Sequence, residues 1–217
     1  MLTRLLISNY QRFFKQINFV NREQFCRNHC NTMSKTALIL AANGSEEMEL
    51  VITGDVLRRA GIDVTIAGLE GSGPINCSRK VVIVPDKALT DVSSSEFDIV
   101  ILPGGLGGAE AFASSSAVGE LLRKQEAAGR WIGAICAAPI ALKSHGIALK
   151  KRLTSWPGKE SELIDSYAYQ QERVVVDGKL ITSRSPGTAF EFALAIIEQL
   201  LNKEKADEVG KPMLVNL

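Results

Sequence analysis

From Met33 onward, short continuous apolar runs alternate with stretches whose apolar positions recur every three to four residues. Residues 36–42 (TALILAA) predict a buried strand, closed by the turn residues Asn43, Gly44 and Ser45. Residues 49–60 predict a helix, with Leu50, Ile52, Val56 and Leu57 apolar and Gly61 at its stop. Further strands are expected at 62–68, 81–84 and 97–102, the last ended by Pro103-Gly104-Gly105. A long amphipathic helix is expected over 110–128, then a strand at 131–135 (WIGAI) and a helix over 137–145. Residues 173–176 and 179–182 flank Asp177-Gly178, a pair that predicts a hairpin. A mostly apolar helix over 188–201 closes the pattern.

Apolar strands separated by helices imply a mainly parallel sheet covered on both faces. With no internal repeat and no linker-like stretch after residue 32, the expectation is one doubly wound α/β domain over residues 33–217. In such folds sites form beyond the carboxyl ends of strands, near a topological switch point. Glu49, Gly104-Gly105 and Cys136 all fall at or just beyond such ends.

Composition narrows the class. The chain has 217 residues, 46% hydrophobic and 23% charged, and a net charge of +1. Near-neutral charge leaves no electrostatic footprint for nucleic acid, and no apolar run reaches the length of a membrane span. Four cysteines in a chain this long do not make a disulfide scaffold, which favours a reducing, cytoplasmic compartment. The N-terminal segment departs from the rest. Arg4, Arg12, Lys15, Arg22 and Arg27 against the single Glu23 give residues 1–32 a charge of +4, leaving −3 elsewhere. Helical spacing would put Leu2, Leu6, Tyr10, Phe13, Ile17 and Val20 on one face. Residues 1–32 therefore read as a basic amphipathic extension suited to mitochondrial targeting, or as a leader upstream of a second start at Met33.

Gly133-Ala134-Ile135-Cys136-Ala137-Ala138-Pro139 sets a cysteine between a strand and a helix, with small residues on both sides. A sharp elbow needs such neighbours and holds the side chain above the sheet. A helix N-terminus is expected to lower the thiol's pKa. Amides of Gly105 and Ala137 are placed to form an anion site beside the sulfur. One carboxyl among Glu46, Glu47 and Glu49 is a candidate proton partner, and spacing does not choose among them. His29 lies in the leader, and His145 lies about 13 Å along the elbow helix, so neither supplies the base of a cysteine protease. Cys26-Arg27-Asn28-His29-Cys30 lacks a second ligand pair, so no metal site is expected.

Taken together, Glu46-Glu47-Met48-Glu49, Cys77-Ser78-Arg79, Leu102-Pro103-Gly104-Gly105, Ile135-Cys136-Ala137 and Thr182-Ser183-Arg184 resemble the parkinsonism-associated redox-sensor and protein deglycase family of the ThiJ/PfpI superfamily. The resemblance covers residues 33–217. It implies a flavodoxin-like sandwich that forms a homodimer, without a cofactor. It implies that Cys136 oxidises to a sulfinate and that Glu49, protonated, hydrogen-bonds the sulfur. Gly105 and Ala137 would line the anion site, Arg79 would approach from a partner subunit, and Pro186 would form pocket wall. Cys77 would be a secondary oxidation site near the dimer interface. Two departures stand out: Trp156 replaces a family histidine near the pocket, and Val84 replaces a family cysteine. The function implied is a cytoprotective oxidative-stress sensor that also acts as a redox-sensitive chaperone towards client proteins. The alternative is a glutathione-independent glyoxalase or deglycase, acting on 2-oxoaldehydes such as methylglyoxal or on early glycation adducts. The family adds the nucleus to the expected compartments.

Overall fold

The computed structural model describes residues 34–215. The basic extension at 1–32, with its targeting reading, its Cys26–Cys30 segment and His29, lies outside the described residues. In chain order the strands are β1 (Thr36–Ala41), β2 (Asp63–Gly68), β3 (Ile75–Asn76), β4 (Val82–Ile83), β5 (Lys87–Ala88), β6 (Ile99–Leu102), β7 (Trp131–Ile135), β8 (Arg152–Leu153), β9 (Ala168–Tyr169), β10 (Val174–Asp177) and β11 (Leu180–Ser183). The helices are α1 (Glu47–Arg59), α2 (Leu89–Val92), α3 (Leu106–Ser114), α4 (Ser116–Ala127), α5 (Pro139–Ser144), α6 (Glu160–Leu163), α7 (Ala189–Leu200) and α8 (Lys203–Gly210).

Seven strands form one sheet in the order β10-β11-β7-β6-β1-β2-β5. All neighbours are parallel except β10 and β11, which pair as a hairpin from Val174 opposite Ser183 to Asp177 opposite Leu180. The hairpin turn is therefore Gly178-Lys179, one residue later than the Asp177-Gly178 pair suggests, with Gly178 at φ 63°.

Strand β1 shows why these strands are apolar throughout. Ala37, Ile39 and Ala41 enter one core with Leu50 and Leu57 of α1 and Phe192 and Ile196 of α7. Leu38 and Leu40 enter the opposite core with Phe112 of α3, Leu122 of α4 and Leu142 of α5. Alternate residues feed two cores, so no position on the strand is left for a polar side chain. Gly133 has a packing reason: a Cβ there would lie 3.1 Å from the Phe192 ring.

After β1 the chain builds outward through β2 to β5, then returns to place β6 on the other side of β1 and continues to β7 and β11. The switch point lies between β1 and β6, with β7 next to it.

Four further expectations need correction. The helix over 110–128 is two, because Ser115 takes an extended conformation and its hydroxyl accepts from the Val118 N–H. A serine whose side chain bonds the backbone locally starts a new helix instead of continuing the old one. The strand at 81–84 shrinks to Val82–Ile83, in a separate two-stranded sheet with β3, and Lys87–Ala88 takes the edge of the main sheet. The elbow helix begins at Pro139, not 137. Beyond α7 the chain also forms α8, capped by the Asn202 side chain on the Lys205 N–H at 2.8 Å. Among the described residues, no helix is long and apolar enough to cross a membrane.

Candidate functional site

Cys136 follows the last residue of β7 at φ 64°, a left-handed conformation that costs a non-glycine residue on the order of 1–3 kcal/mol. Neighbouring backbone holds it there. The Cys136 N–H donates to the Ser183 carbonyl at 3.0 Å, and its carbonyl accepts from the Trp156 N–H at 2.8 Å. The elbow thus projects a half-buried thiol from the carboxyl edge of the sheet.

Behind the sulfur stands Glu49, fully buried in the first turn of α1. Its Oε2 accepts the Gly104 N–H at 2.7 Å, while Oε1 has no hydrogen-bond partner among the described residues. Gly104 is the spacer between the acid and the thiol. A Cβ at Gly104 would lie 2.6 Å from the Cys136 Cβ and 2.7 Å from Glu49 Oε2. The next residue, Gly105, has φ 80°, and a Cβ there would meet the Gly44 carbonyl at 2.2 Å. Both glycines are therefore required by contact, and the amides of Gly105 and Ala137 act on the Cys136 sulfur.

Electrostatically, the acid and the thiol form one unit. Burial, opposed by the Gly104 N–H and the Cys136 thiol, raises the Glu49 carboxyl from 4.5 to about 7. Burial first, then the Glu49 charge, pushes the Cys136 thiol up to about 12, against the pull of the Gly105 and Ala137 amides. The expected lowering by a helix N-terminus is thus overridden. Helix α5 has only six residues, and desolvation and a facing carboxylate outweigh its dipole. The sign of Glu49's effect depends on where its proton is. As a carboxylate it repels a thiolate; as an acid it donates a hydrogen bond to one. A sulfur anion therefore belongs to the arrangement in which Glu49 holds the proton, and the two groups titrate as a pair.

The other two acidic candidates have different surroundings. Glu47 accepts the Arg79 N–H at 2.9 and 3.1 Å and the Ser78 hydroxyl at 3.0 Å. Burial raises its pKa, but those bonds and the N–H of Glu47 itself outweigh burial and leave it lowered. Glu46 accepts from the Ser78 hydroxyl as well and faces the cleft. Only Glu49 lies against the sulfur.

A cleft of 530 Å³ opens over Cys136. Arg79, Gly105, Ala137, Trp156 and Pro186 line it with Cys136, and Glu49 closes the site from beneath. The structure therefore brings all but one of the candidate residues together. Arg79 reaches the cleft of its own chain, where the resemblance implied approach from a partner subunit. The residue left out is Cys77, buried at 5% exposure in the core. Burial and the Glu47 and Glu46 charges raise its thiol pKa, which makes it a poor site for the secondary oxidation that the resemblance implied. His145 bonds the Phe112 carbonyl at 2.9 Å, on the opposite core from Glu49. Gly44, Leu106, Gly107 and Ser185 also line the cleft and escaped sequence reasoning. The signal for Gly44 was there, since the Asn43-Gly44-Ser45 turn ends β1 at the switch point.

The profile of the DJ-1/PfpI family matches residues 35–199. Protein dj-1beta of Drosophila melanogaster is 56% identical over 184 residues, 84% of this chain and 98% of its own. The crystal structure of that protein superposes with a TM-score of 0.84, covering 85% of this chain and all of its own. Glutathione-independent glyoxalase DJR-1.2 of Caenorhabditis elegans is 43% identical, over 82% of this chain and 96% of its own. Oxidized DJ-1 of Toxoplasma gondii, 35% identical, superposes with a TM-score of 0.80 over 85% of this chain and all of its own. A strained elbow cysteine backed by a buried acid, on this sheet order and with these relatives, makes the chain a member of the DJ-1/PfpI family.

Proposed function

We propose that the chain is a cytoprotective sensor of oxidative stress that works through Cys136. The observation that carries this reading is a half-buried thiol with one buried acid behind it and two backbone amides aimed at its sulfur. That set of donors favours negative charge on sulfur and on any oxygen attached to it. The thiolate attacks a peroxide oxygen: an S–O bond forms, the O–O bond breaks, and the leaving hydroxide takes up a proton. A second peroxide converts the sulfenate to the sulfinate. Glu49, as the acid, hydrogen-bonds the oxidised sulfur group, and Gly105 and Ala137 donate their amides to it. The oxidised form of the Toxoplasma gondii relative supports this reading. Graded peroxide should add two oxygen atoms to the wild type and not to Cys136→Ala, and Glu49→Leu should suppress the sulfinate. A Cys136 that stays reduced while the other thiols oxidise would sink the sensor reading.

A second reading is favoured by the name of the nematode relative, a glutathione-independent glyoxalase. The Cys136 sulfur adds to the aldehyde carbon of a 2-oxoaldehyde, the carbonyl electron pair moves to oxygen, and that oxygen takes the Glu49 proton. Glu49, now a carboxylate, removes the C1 proton and returns it to C2, giving a thioester of a 2-hydroxy acid. Water then hydrolyses the thioester and frees Cys136, with no external oxidant or reductant. Early glycation adducts on proteins present the same carbonyl chemistry. Lactate formed from methylglyoxal without glutathione tests this reading, and activity unchanged in Cys136→Ala would refute it.

The same proposal includes a homodimer. Met48 and Val51 on α1, and Val81, Val82 and Val84 on and around β4, are about half exposed or more, apolar surface that a second copy would cover. It also includes a chaperone role of the oxidised dimer towards client proteins, a domain starting at residue 33, mitochondrial delivery through residues 1–32, and residence in cytoplasm or nucleus otherwise.

A further inference from the structure

The cleft over Cys136 has a wall that neither peroxide nor a three-carbon aldehyde needs. Trp156 is tied to Cys136 through the backbone, its main-chain N–H donating to the Cys136 carbonyl at 2.8 Å. Its indole lies against Gly158, where a Cβ would come within 2.6 Å of Cη2 and Cζ3. Glycine at 158 therefore lets the ring settle on the backbone, while Trp156 as a whole stays 39% exposed. Leu106, 48% exposed, and Pro186 line the same cleft. Three apolar side chains thus converge, open to solvent, around a reactive sulfur.

The volume is also out of proportion to the smallest substrate. The cleft measures 530 Å³, within the range of about 300–1,000 Å³ usual for small-molecule sites. The five heavy atoms of methylglyoxal fill only a small part of that, at roughly 20–30 Å³ each. Trp also receives cations, but Arg79 and Glu46 line the same cleft with opposite charges, so it holds no net charge to favour a cation. A neutral, planar, apolar group fits both the wall and the charge.

We propose that Trp156, with Leu106 and Pro186, forms a subsite for the aromatic substituent of aryl-bearing 2-oxoaldehydes, so that Trp156 sets substrate preference. The inference rests on the aldehyde-capture reading of Cys136. The aldehyde carbon of such a substrate forms its bond to the Cys136 sulfur, the carbonyl electron pair passes to oxygen, and Glu49 protonates that oxygen. The ring meanwhile stacks on the indole.

The test has two arms, each run on the full chain, on Trp156→Ala and on Trp156→Phe. In the first, kcat/KM is measured for phenylglyoxal (product mandelate) and for methylglyoxal (product lactate). The ratio of the two should fall by about 2- to 12-fold in Trp156→Ala, the worth of one aromatic pair, and be largely kept in Trp156→Phe. In the second, phenylacetaldehyde and acetaldehyde, which cannot rearrange to hydroxy acids, protect Cys136 from iodoacetamide. The preference for phenylacetaldehyde should fall by the same factor in Trp156→Ala. Turnover with an aryl ratio unchanged across the variants overturns the subsite and leaves the glyoxalase reading standing. Absence of turnover with a Trp156-dependent protection ratio removes the glyoxalase reading and upholds the subsite. A protection ratio indifferent to residue 156 overturns the subsite in either case.

Discussion

Replacing Glu49 with Gln should stabilise the protein, and by an amount that depends on pH. The Glu49 carboxyl has no exposed surface, and its pKa rises from 4.5 to about 7, with burial the largest cause. It therefore binds its proton more tightly in the folded than in the unfolded chain. Its favourable contribution is fully present below pH 4.5 and is lost as pH rises through 7. Across that window the loss approaches about 3 kcal/mol, at about 1.4 kcal/mol per pKa unit. Glutamine keeps an oxygen to accept the Gly104 N–H at the same place but never ionises. Relative to wild type, Glu49→Gln should gain up to about 3 kcal/mol at pH 8 and almost nothing at pH 4.5. For a chain of this size, that is about 6–12 °C in Tm. Scanning calorimetry of both proteins from pH 4.5 to 8 measures it. Two Tm curves that run parallel over the whole range would show that Glu49 carries no strained charge, and the account of the site would fail with it.

Other predictions follow from contacts. Gly104→Ala puts a methyl 2.6 Å from the Cys136 Cβ; overpacking of that kind costs about 1–3 kcal/mol, visible in thermal melts, and peroxide should modify Cys136 at least about ten-fold more slowly as the acid is pushed from the sulfur, at 1.4 kcal/mol per decade. Ser115→Ala removes the cap that starts α4, and urea titration should show a loss of about 1 kcal/mol. Val51→Asp places a charge in the apolar patch on α1; light scattering should give a dimer for the wild type and a monomer for the variant.

Much of this was legible in the residues, and the parts that were not share a cause. Strand β7 was readable to its ends because five residues facing two cores leave a continuous apolar run. Strand β5 was not, since Lys87–Ala88 is too short to carry any period. Helix α8 reads KEKADEVG, with little apolar stripe to mark it, and only the Asn202 cap announces it. The break at Ser115 was written in the run Ser114-Ser115-Ser116, which a purely apolar count passes over. At the site, the elbow was visible because small residues crowd around Cys136. Spacing alone left Glu46, Glu47 and Glu49 level and only the family resemblance pointed to Glu49, because the physical choice is made by Gly104 and Arg79, which lie 55 and 32 residues away along the chain from the carboxyls they bind. The pKa of Cys136 was misread for the same reason. A dipole is visible in sequence order, whereas burial and a facing carboxylate are not.

We propose that Cys136 and Glu49 share one proton and that the acid makes the sulfur reactive. The rate of Cys136 alkylation by iodoacetamide from pH 5 to 10, in the wild type and in Glu49→Gln, tests this. The wild type should show a break near pH 7, where the pair loses its first proton. In Glu49→Gln that break should vanish and the rate should climb to pH 9 or above, about two units later, as an isolated buried thiol does. The same break point in both proteins would contradict the claim.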